Sequence, residues 1–405
     1  MRIAVVGGGA SGIMAAYSAA ENGAEVTLFE RNEKLGKKIY ISGKGRCNLT
    51  NDSDASVHMA NVVRNGRFLF SAYKALSPQE LMVCIRSAGT PLKTERGNRV
   101  FPETDKSSDV LSALRRLLSY YHIEIKLNER VLSLEKQGDV FFLRTEKDGY
   151  TFDKVILCTG GFTYQATGST GDGYSFARAF GHSVTELCPA LVGLRAEVPV
   201  ELAGLTLKNV NFRVRKGDKL IAEEFGEMLF THSGISGPIV LTLSSKVNRF
   251  PLSELAFSID LKPAITKETL SDRLVREFNA APNKAVKNIL PELMPRSLIS
   301  FVLEKAKIHA EIPAHSVTKE QRASLVSCMK DLPVHVLGFE AFNGAIVTSG
   351  GVSVTEIDPK DMQSKLVPGL YFAGELLDVD ALTGGFNLQI AFSTGYLAGM
   401  RAAKC

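Results

Sequence analysis

Arg2-Ile3-Ala4-Val5-Val6-Gly7-Gly8-Gly9-Ala10-Ser11-Gly12 is an apolar strand that runs straight into a G-x-G-x-x-G turn. A helix-like run follows from Ile13 to Asn22, then a second apolar run, Ala24–Phe29, that ends in Glu30. Strand, glycine turn, helix, strand and terminal acid in this order are the full layout of a dinucleotide-binding βαβ unit. Each glycine has a task. Gly7 permits the tight turn, Gly9 lets backbone approach a pyrophosphate, and Gly12 allows close packing of helix on strand. The helix N-terminus offers N–H donors and partial positive charge to phosphate. Glu30 is placed to accept hydrogen bonds from a ribose hydroxyl pair. The opening therefore predicts a cofactor with an adenosine diphosphate half, and with it redox chemistry.

Composition sets the outer bounds. The 405 residues are 45% hydrophobic and 22% charged, as in ordinary globular proteins of two or three domains. No run approaches the roughly 18 consecutive apolar residues of a membrane helix. Strand structure begins within three residues of Met1, so a cytoplasmic location without a leader is expected. Cys47, Cys84, Cys158, Cys188, Cys328 and Cys405 are scattered, without a CxxC pair. Structural zinc, iron–sulfur clusters and thioredoxin-type dithiols are disfavoured, and no metal site is expected. The net charge of +5 suits a phosphate-rich cofactor or an anionic substrate. It leaves nucleic acid as a disfavoured partner that is still open.

The first part of the chain alternates strands and helices. Candidate strands are Ile123–Leu127, Val131–Glu135, Val140–Thr145 and Lys154–Cys158, with helices Pro78–Ala88 and Ser108–Tyr121. That alternation predicts an α/β layer structure with a parallel sheet. From Pro189 to Leu261 short alternating runs predict antiparallel β or barrel structure, including Val210–Arg215, Glu227–Phe230 and Ala256–Leu261. From Thr266 to Leu332 the pattern is helical. Leu270, Leu274, Val275 and Phe278 share a face, Thr266 is an N-cap, and Thr318 with Gln321 is a capping box for Lys319–Lys330. After Val334 the glycine-punctuated β style returns. The outer segments read as one domain interrupted by an insertion.

Further stretches carry candidate chemistry. Gly36–Asn51 mixes Lys37, Lys38, Lys44 and Arg46 with glycine, serine, threonine and asparagine, the composition of an anion-binding nest. Cys47 within it is either a redox thiol of lowered pKa or a small packed residue. Thr159-Gly160-Gly161 ends a strand, and Gly168–Gly173 precedes a helix with Asp172 as a candidate N-cap. Gly374-Glu375 and Gly384–Gln389 offer a second helix N-terminus, suited to the negative charge on the N1–C2=O edge of a reduced flavin. Phe230–Pro238 holds His232 between small residues, a candidate acid or base. No acidic partner at readable spacing supports a hydrolase triad.

The N-terminal GGGASG, the SGKGRCNLTN stretch at 42–51, FTHSGISGP at 230–238, SGGVSVTEID at 349–358 and GLYFAGELLDVDALTGGFNLQIAFSTG at 369–395 together resemble the BaiN/RdsA-type family of flavoproteins, also known as aminoacetone oxidase-like proteins. The resemblance covers essentially the whole chain. It implies an α/β fold, a Rossmann-like FAD-binding domain in two segments, 1–190 and 335–405. The insertion between them would carry a β-barrel part, 191–264, and a small helical part, 265–334. It implies FAD contacts from Gly7, Gly9, Ala10, Ser11 and Gly12, from Glu30, Arg31 and Lys38, and from Ser42, Gly43, Arg46, Cys47 and Asn48. Val131 would meet the adenine end through its backbone. Thr159, Gly160, Gly161, Gly374, Glu375, Asn387, Leu388 and Gln389 would complete the site. The Gly168–Gly173 and Ser349-Gly350-Gly351 turns are similar to flavoproteins of the fumarate reductase and succinate dehydrogenase group. One branch of the family reduces carbon–carbon double bonds of steroid-like enones. This chain departs in reading SGKGRC where a second SGG is common, and in Phe342-Asn343 before Gly344. Both leave substrate choice open.

The expectation is thus an FAD-dependent oxidoreductase acting on a small molecule by hydride transfer at flavin N5. Arg46, Cys47, Asn48 and His232 are the side chains expected to face the reacting carbon. NAD(P)H would act as a transient electron donor, since no second complete G-x-G-x-x-G is present. Two rival readings are a flavoprotein that modifies RNA bases and a flavin-bearing sensor without turnover.

Overall fold

The computed structural model describes residues 1–404; Cys405 lies outside them. Its contacts divide the chain into two compact units, residues 1–188 with the stretch from Ile346 onward, and Pro189–Ala345.

The first unit is built on five strands, β1 (Arg2–Val6), β2 (Glu25–Phe29), β3 (Glu124–Lys126), β4 (Lys154–Leu157) and β5 (Leu370–Phe372). All their pairings are parallel, in the order β3-β2-β1-β4-β5. Ile3, Ala4 and Val5 have no exposure, as expected for a parallel sheet covered on both faces. The strand order reverses between β1 and β4, and the crevice beyond the carboxyl ends of such strands is where an open α/β sheet takes its ligand. β5 comes from the far end of the sequence and pairs Val155 with Leu370 and Leu157 with Phe372. The two outer segments therefore share one sheet.

Helix α1 (Ala10–Glu21) follows the glycine turn, and helix α2 (Phe386–Lys404) crosses it. The crossing is tight because two α2 positions lack side chains. A Cβ on Gly395 would sit 2.1 Å from the Ser11 carbonyl oxygen, and one on Gly399 2.1 Å from that of Ala15. Packing thereby fixes the N-terminal half of α1 against the middle and C-terminal half of α2.

Val131–Gln137, Val140–Thr145 and Gly149–Phe152 form an antiparallel meander, not part of the parallel sheet that alternation predicted. The reason is connection length. Only Gly138-Asp139 separate the paired residues Gln137 and Val140, and a two-residue link can join only antiparallel strands.

The second unit is a closed barrel of Leu194–Glu197, Gly234–Ser236, Lys219–Thr231, Thr206–Lys216, Ala256–Asp260 and Leu332–Phe339. Helices Lys267–Ala280, Arg296–Lys305 and Lys319–Lys330 pack with it in one apolar core. Thr266 Oγ1 accepts from the Thr269 N–H at 3.2 Å. Thr318 and Gln321 exchange both bonds of a capping box. The boundary expected at 334/335 moves to Ala345/Ile346. The cause is Leu332–Phe339, which pairs with Ala256–Asp260 on one side and Leu194–Glu197 on the other and so closes the barrel. Among the described residues no helix is long and apolar enough to cross a membrane.

Candidate active site

The glycine turn has the geometry its sequence demands. Gly7 sits at φ +104°, and a Cβ there would lie 2.5 Å from the Cys158 carbonyl oxygen at the end of β4. A Cβ on Gly12 would lie 1.8 Å from the Gly7 carbonyl oxygen, whereas one on Gly9 would meet nothing within 4 Å. Gly12 is thus a packing glycine, and Gly9 faces open space. Gly9 caps α1 without any side-chain bond. The first backbone bond of the helix runs from Ile13 N to Gly9 O. The N–H groups of Ala10, Ser11 and Gly12 have no partner among the described residues. These donors and the open ground before Gly9 suit a pyrophosphate.

Glu30, at the end of β2, is 7% exposed. Its Oε2 accepts from Gly8 N at 2.8 Å, and its Oε1 from the N and Nδ2 of Asn32 at 2.8 and 2.6 Å. These bonds fix the carboxylate under the turn, with both lone pairs of Oε1 engaged and one of Oε2 left open. Asn32, missed at the sequence level, also reaches Thr167 O at 2.9 Å. Arg31 Nη1 donates to Thr170 Oγ1 at 2.6 Å. Asp172 is not the N-cap expected of it. Gly171 occupies that position, and the Asp172 carboxylate takes Nε and Nη2 of Arg130 at 2.9 and 3.0 Å. Asp172 is instead the first residue of that helix, and its partner Arg130 adjoins Val131, which begins the meander.

Lys38 and Glu375 join the two ends of the chain. Lys38 Nζ donates to Glu375 Oε2 at 2.6 Å and to Thr163 Oγ1 at 2.8 Å. Glu375 Oε1 accepts from Thr348 N at 2.8 Å, and Thr348 Oγ1 accepts from Phe162 N at 2.7 Å. A Cβ on Gly161 would strike Thr348 Oγ1 at 2.5 Å and Glu375 Oε1 at 2.9 Å. Thr159-Gly160-Gly161 and Gly374-Glu375 are thereby held side by side beyond β4 and β5. Thr163 and Thr348 do the linking, and no local pattern marks either of them. The hydroxyls of Thr159 and Tyr174 are buried without a partner among the described residues, polar atoms that a bound group would satisfy.

Residues 42–47 coil through left-handed backbone at Gly43, Lys44, Gly45 and Cys47. For Lys44 and Cys47 that costs roughly 1–3 kcal/mol each, which the surroundings must offset. Asn48 does part of this. With its amide set by the hydrogen-bond network, it donates to Thr50 O at 3.1 Å and accepts from Gly385 N at 3.0 Å. Gly385, at φ +99°, has no room for a Cβ, which would fall 2.4 Å from Thr50 O. Asn51 Nδ2 donates to Gly384 O at 3.1 Å. His58 supports Asn51 from below, its Nε2 lying 2.9 Å from Asn51 O and its Nδ1 3.1 Å from the Tyr73 hydroxyl. The loop thus clamps the start of α2. The N–H groups of Asn387 and Leu388 have no partner among the described residues.

Several of the expected side chains are engaged within the protein. Cys47 has no exposure, and burial pushes its thiol up to about 12, so it is a packed neutral residue and not a redox thiolate. Arg46 binds Asp105 and Glu95 and stacks 4.2 Å from the Phe101 ring. Hydrogen bonds to Glu95 and Asp105 raise its pKa further, and its guanidinium is committed to them. Ser42 Oγ donates to Ile39 O at 2.7 Å. Asn387 spends its amide on Ala381 N and O at 2.9 and 2.7 Å. Gln389 is fully buried and binds Thr50 Oγ1, Leu76 O and Ser393 Oγ. The side chains of Ser42, Arg46, Asn387 and Gln389 thus satisfy other groups of the protein. His232 stands in the second unit, exposed in the turn between strands Lys219–Thr231 and Gly234–Ser236.

A parallel sheet with a glycine turn, a buried acid after β2 and a second open helix N-terminus make up a dinucleotide-binding protein of the Rossmann type. Residues 1–401 match the family described as HI0933-like protein Rossmann domain, and the chain belongs to that family of FAD-dependent oxidoreductases. It is 33% identical over 409 aligned positions to 3-dehydro-bile acid delta(4,6)-reductase of Clostridium scindens, covering 100% of this chain and 99% of that protein. It is 29% identical to ribosomal RNA dihydrouridine synthase of Haemophilus influenzae, covering 99% of this chain and 98% of the relative. Among solved structures, 3-ketosteroid delta1-dehydrogenase of Sterolibacterium denitrificans is similar in fold, with a TM-score of 0.52, 14% identity and 99% of each chain covered.

Proposed function

We propose that this chain is a reductase of a carbon–carbon double bond conjugated to a carbonyl group. FAD would lie with its pyrophosphate on the N–H groups of Ala10–Gly12 beside Gly9, its ribose on Glu30 and its adenine end near Arg31 and Val131. Thr159–Gly161, Lys38, Glu375 and the backbone of 42–48 would line its other half. The observation that carries the reading is the pair of open donors on Asn387 and Leu388, held by the Asn48–Gly385 bond. When bound, FAD supplies hydride, and its reduced ring carries negative charge at the N1–C2=O edge. Helix N–H donors stabilise such a charge by roughly 0.3–2 kcal/mol, depending on exposure. The names of both relatives describe saturation of a double bond next to a carbonyl, in a steroid and in uracil. NAD(P)H is our candidate electron source.

RNA is the second reading, favoured by the full-length likeness to a protein named for ribosomal RNA. One anaerobic experiment tests both. The holoenzyme is reduced with NADH or NADPH, then mixed with cyclohex-2-enone or with unmodified ribosomal RNA. Reoxidation by the enone supports the small-molecule reading, and reoxidation by RNA alone, weakening steeply with salt, supports the other. A flavin that neither nicotinamide reduces and neither acceptor reoxidises defeats the reductase reading.

A further inference from the structure

Arg64 is a cation that the cofactor site does not use and that the fold holds with care. Its Nε donates to Ser349 Oγ at 2.9 Å and lies 3.7 Å from Asp380 Oδ1. Ser349 in turn donates to Asp380 Oδ1 at 3.0 Å. Ser349 and Asp380 are buried, at 0% and 1% exposure, while the Arg64 side chain is 28% exposed. The backbone is pinned as well. Val63 N donates to Asp380 O at 2.8 Å, Leu382 N to Asn61 O at 2.9 Å, and Val62 bridges Ala381. Asn65 Nδ2 donates to Asp378 O at 2.6 Å. Residues 378–382 are tied through Asn387 to the first turn of α2. Thus Arg64 is anchored on the segment that leads into the helix N-terminus proposed to hold the reactive ring.

Only the Nε edge of the guanidinium is spent. Nη1 and Nη2 have no acceptor among the described residues. A guanidinium keeps its charge at any working pH and presents a planar donor fork. Gripping it by Nε, with a buried carboxylate behind, orients that fork and leaves it available to a ligand oxygen.

We propose that Arg64 receives the carbonyl oxygen of the substrate, a reading that rests on the reductase assignment above. Saturating C=C–C=O adds two electrons and two protons in all. The double bond is lost and two C–H bonds form. After the two electrons and one hydrogen have arrived at the β-carbon, the negative charge rests on the carbonyl oxygen until a proton joins the α-carbon. A charged donor fork stabilises that oxyanion more than the neutral ketone, which is what lowers a barrier. The same fork would serve a cyclic enone or the C4 carbonyl of uracil.

Phenolate, a planar ring with an anionic oxygen, is the probe. It is titrated into oxidised holoenzyme, with affinity read from the flavin absorbance change and by calorimetry across pH. Wild type should bind the anion in preference to neutral phenol. Arg64→Gln should weaken binding at least about tenfold, and Arg64→Lys, which keeps charge but loses the fork, should fall between. FAD content of each variant is read from its visible absorbance. Wild type that does not bind phenolate, or variants that bind it as wild type does, overturn the assignment. Loss of FAD from both variants also overturns it, by making Arg64 part of the cofactor's cradle. Cyclohex-2-enone and RNA turnover by wild type judge the underlying reductase reading separately, because phenolate affinity does not depend on turnover.

Discussion

Lys38 Nζ and Glu375 Oε2 lie 2.6 Å apart although 337 positions separate them in sequence. Their side chains are 27% and 21% exposed, between a surface pair and a sealed one. Exposed pairs contribute about 0–1 kcal/mol, and breaking a buried pair costs about 3–5 kcal/mol. Lys38→Met should therefore cost about 2 kcal/mol in urea unfolding and weaken FAD binding. Glu375→Gln should cost less, since Thr163 and Thr348 N still meet its amide oxygen. If the double-mutant cycle gives a coupling near zero, the pair does not join the segments.

Gly9 and Gly12 separate cofactor binding from folding. At Gly12 a methyl group would overlap the Gly7 carbonyl at 1.8 Å, and no flexible side chain can yield. Gly12→Ala should unfold or lose more than about 3 kcal/mol. At Gly9 the methyl meets nothing, so Gly9→Ala should keep the apoprotein's melting temperature while FAD affinity falls at least about tenfold. Apoprotein melting and FAD titration of the two variants decide this. A Gly9→Ala protein with wild-type FAD affinity would remove the pyrophosphate from that turn.

The glycine turn, β1, β2 and Glu30 were legible because their chemistry is local. Gly7, Gly9 and Gly12 are read within six residues, and the period of Ile3–Val6 gives a buried strand. Leu332–Phe339 was not legible as a barrel strand. It follows a helical run, and its partners Ala256–Asp260 and Leu194–Glu197 lie far back in sequence. Thr163 and Thr348 escaped for the same reason, since a threonine acquires meaning only once Lys38 and Glu375 meet over it. The side chains of Arg46, Asn387 and Gln389 show the opposite limit. Polar residues near glycine suggest a ligand, but buried backbone groups compete for the same donors and acceptors. Here Ala381, Leu76 and the carboxylates Glu95 and Asp105 took them.

Cys47 tests that competition directly. Its thiol is fully buried and pushed up to about 12, so iodoacetamide should not label it in the native protein at neutral pH. Cys47→Ala should lower stability by about 1 kcal/mol through the small space it leaves. Flavin reduction by a nicotinamide should proceed within about twofold of wild type, because an inert packed thiol takes no part in the chemistry. A large fall in the rate of flavin reduction, with FAD content unchanged, would restore a chemical role.

His58 and His182 make stability depend on mild acid. Burial lowers both from the ordinary value of 6.5. For His182 the neighbouring Glu356 opposes part of that shift, with Nδ1 3.1 Å from its Oε2, while Nε2 lies 2.8 Å from Ser364 Oγ. His58 has no carboxylate on its ring, and protonating it would put a second N–H against the Tyr73 hydroxyl. Both residues are therefore neutral in the fold at neutral pH. As pH falls through 6.5 the unfolded chain takes up protons first. The unfolded state is then favoured, and stability drops until the lower folded pKa values are reached. The slope is at most about 1.4 kcal/mol per pH unit for each histidine. Urea unfolding between about pH 7.5 and 5.5 should show this loss, and His58→Gln and His182→Gln should each flatten it. Should the doubly substituted protein lose as much stability over that interval as wild type, other groups govern the acid response.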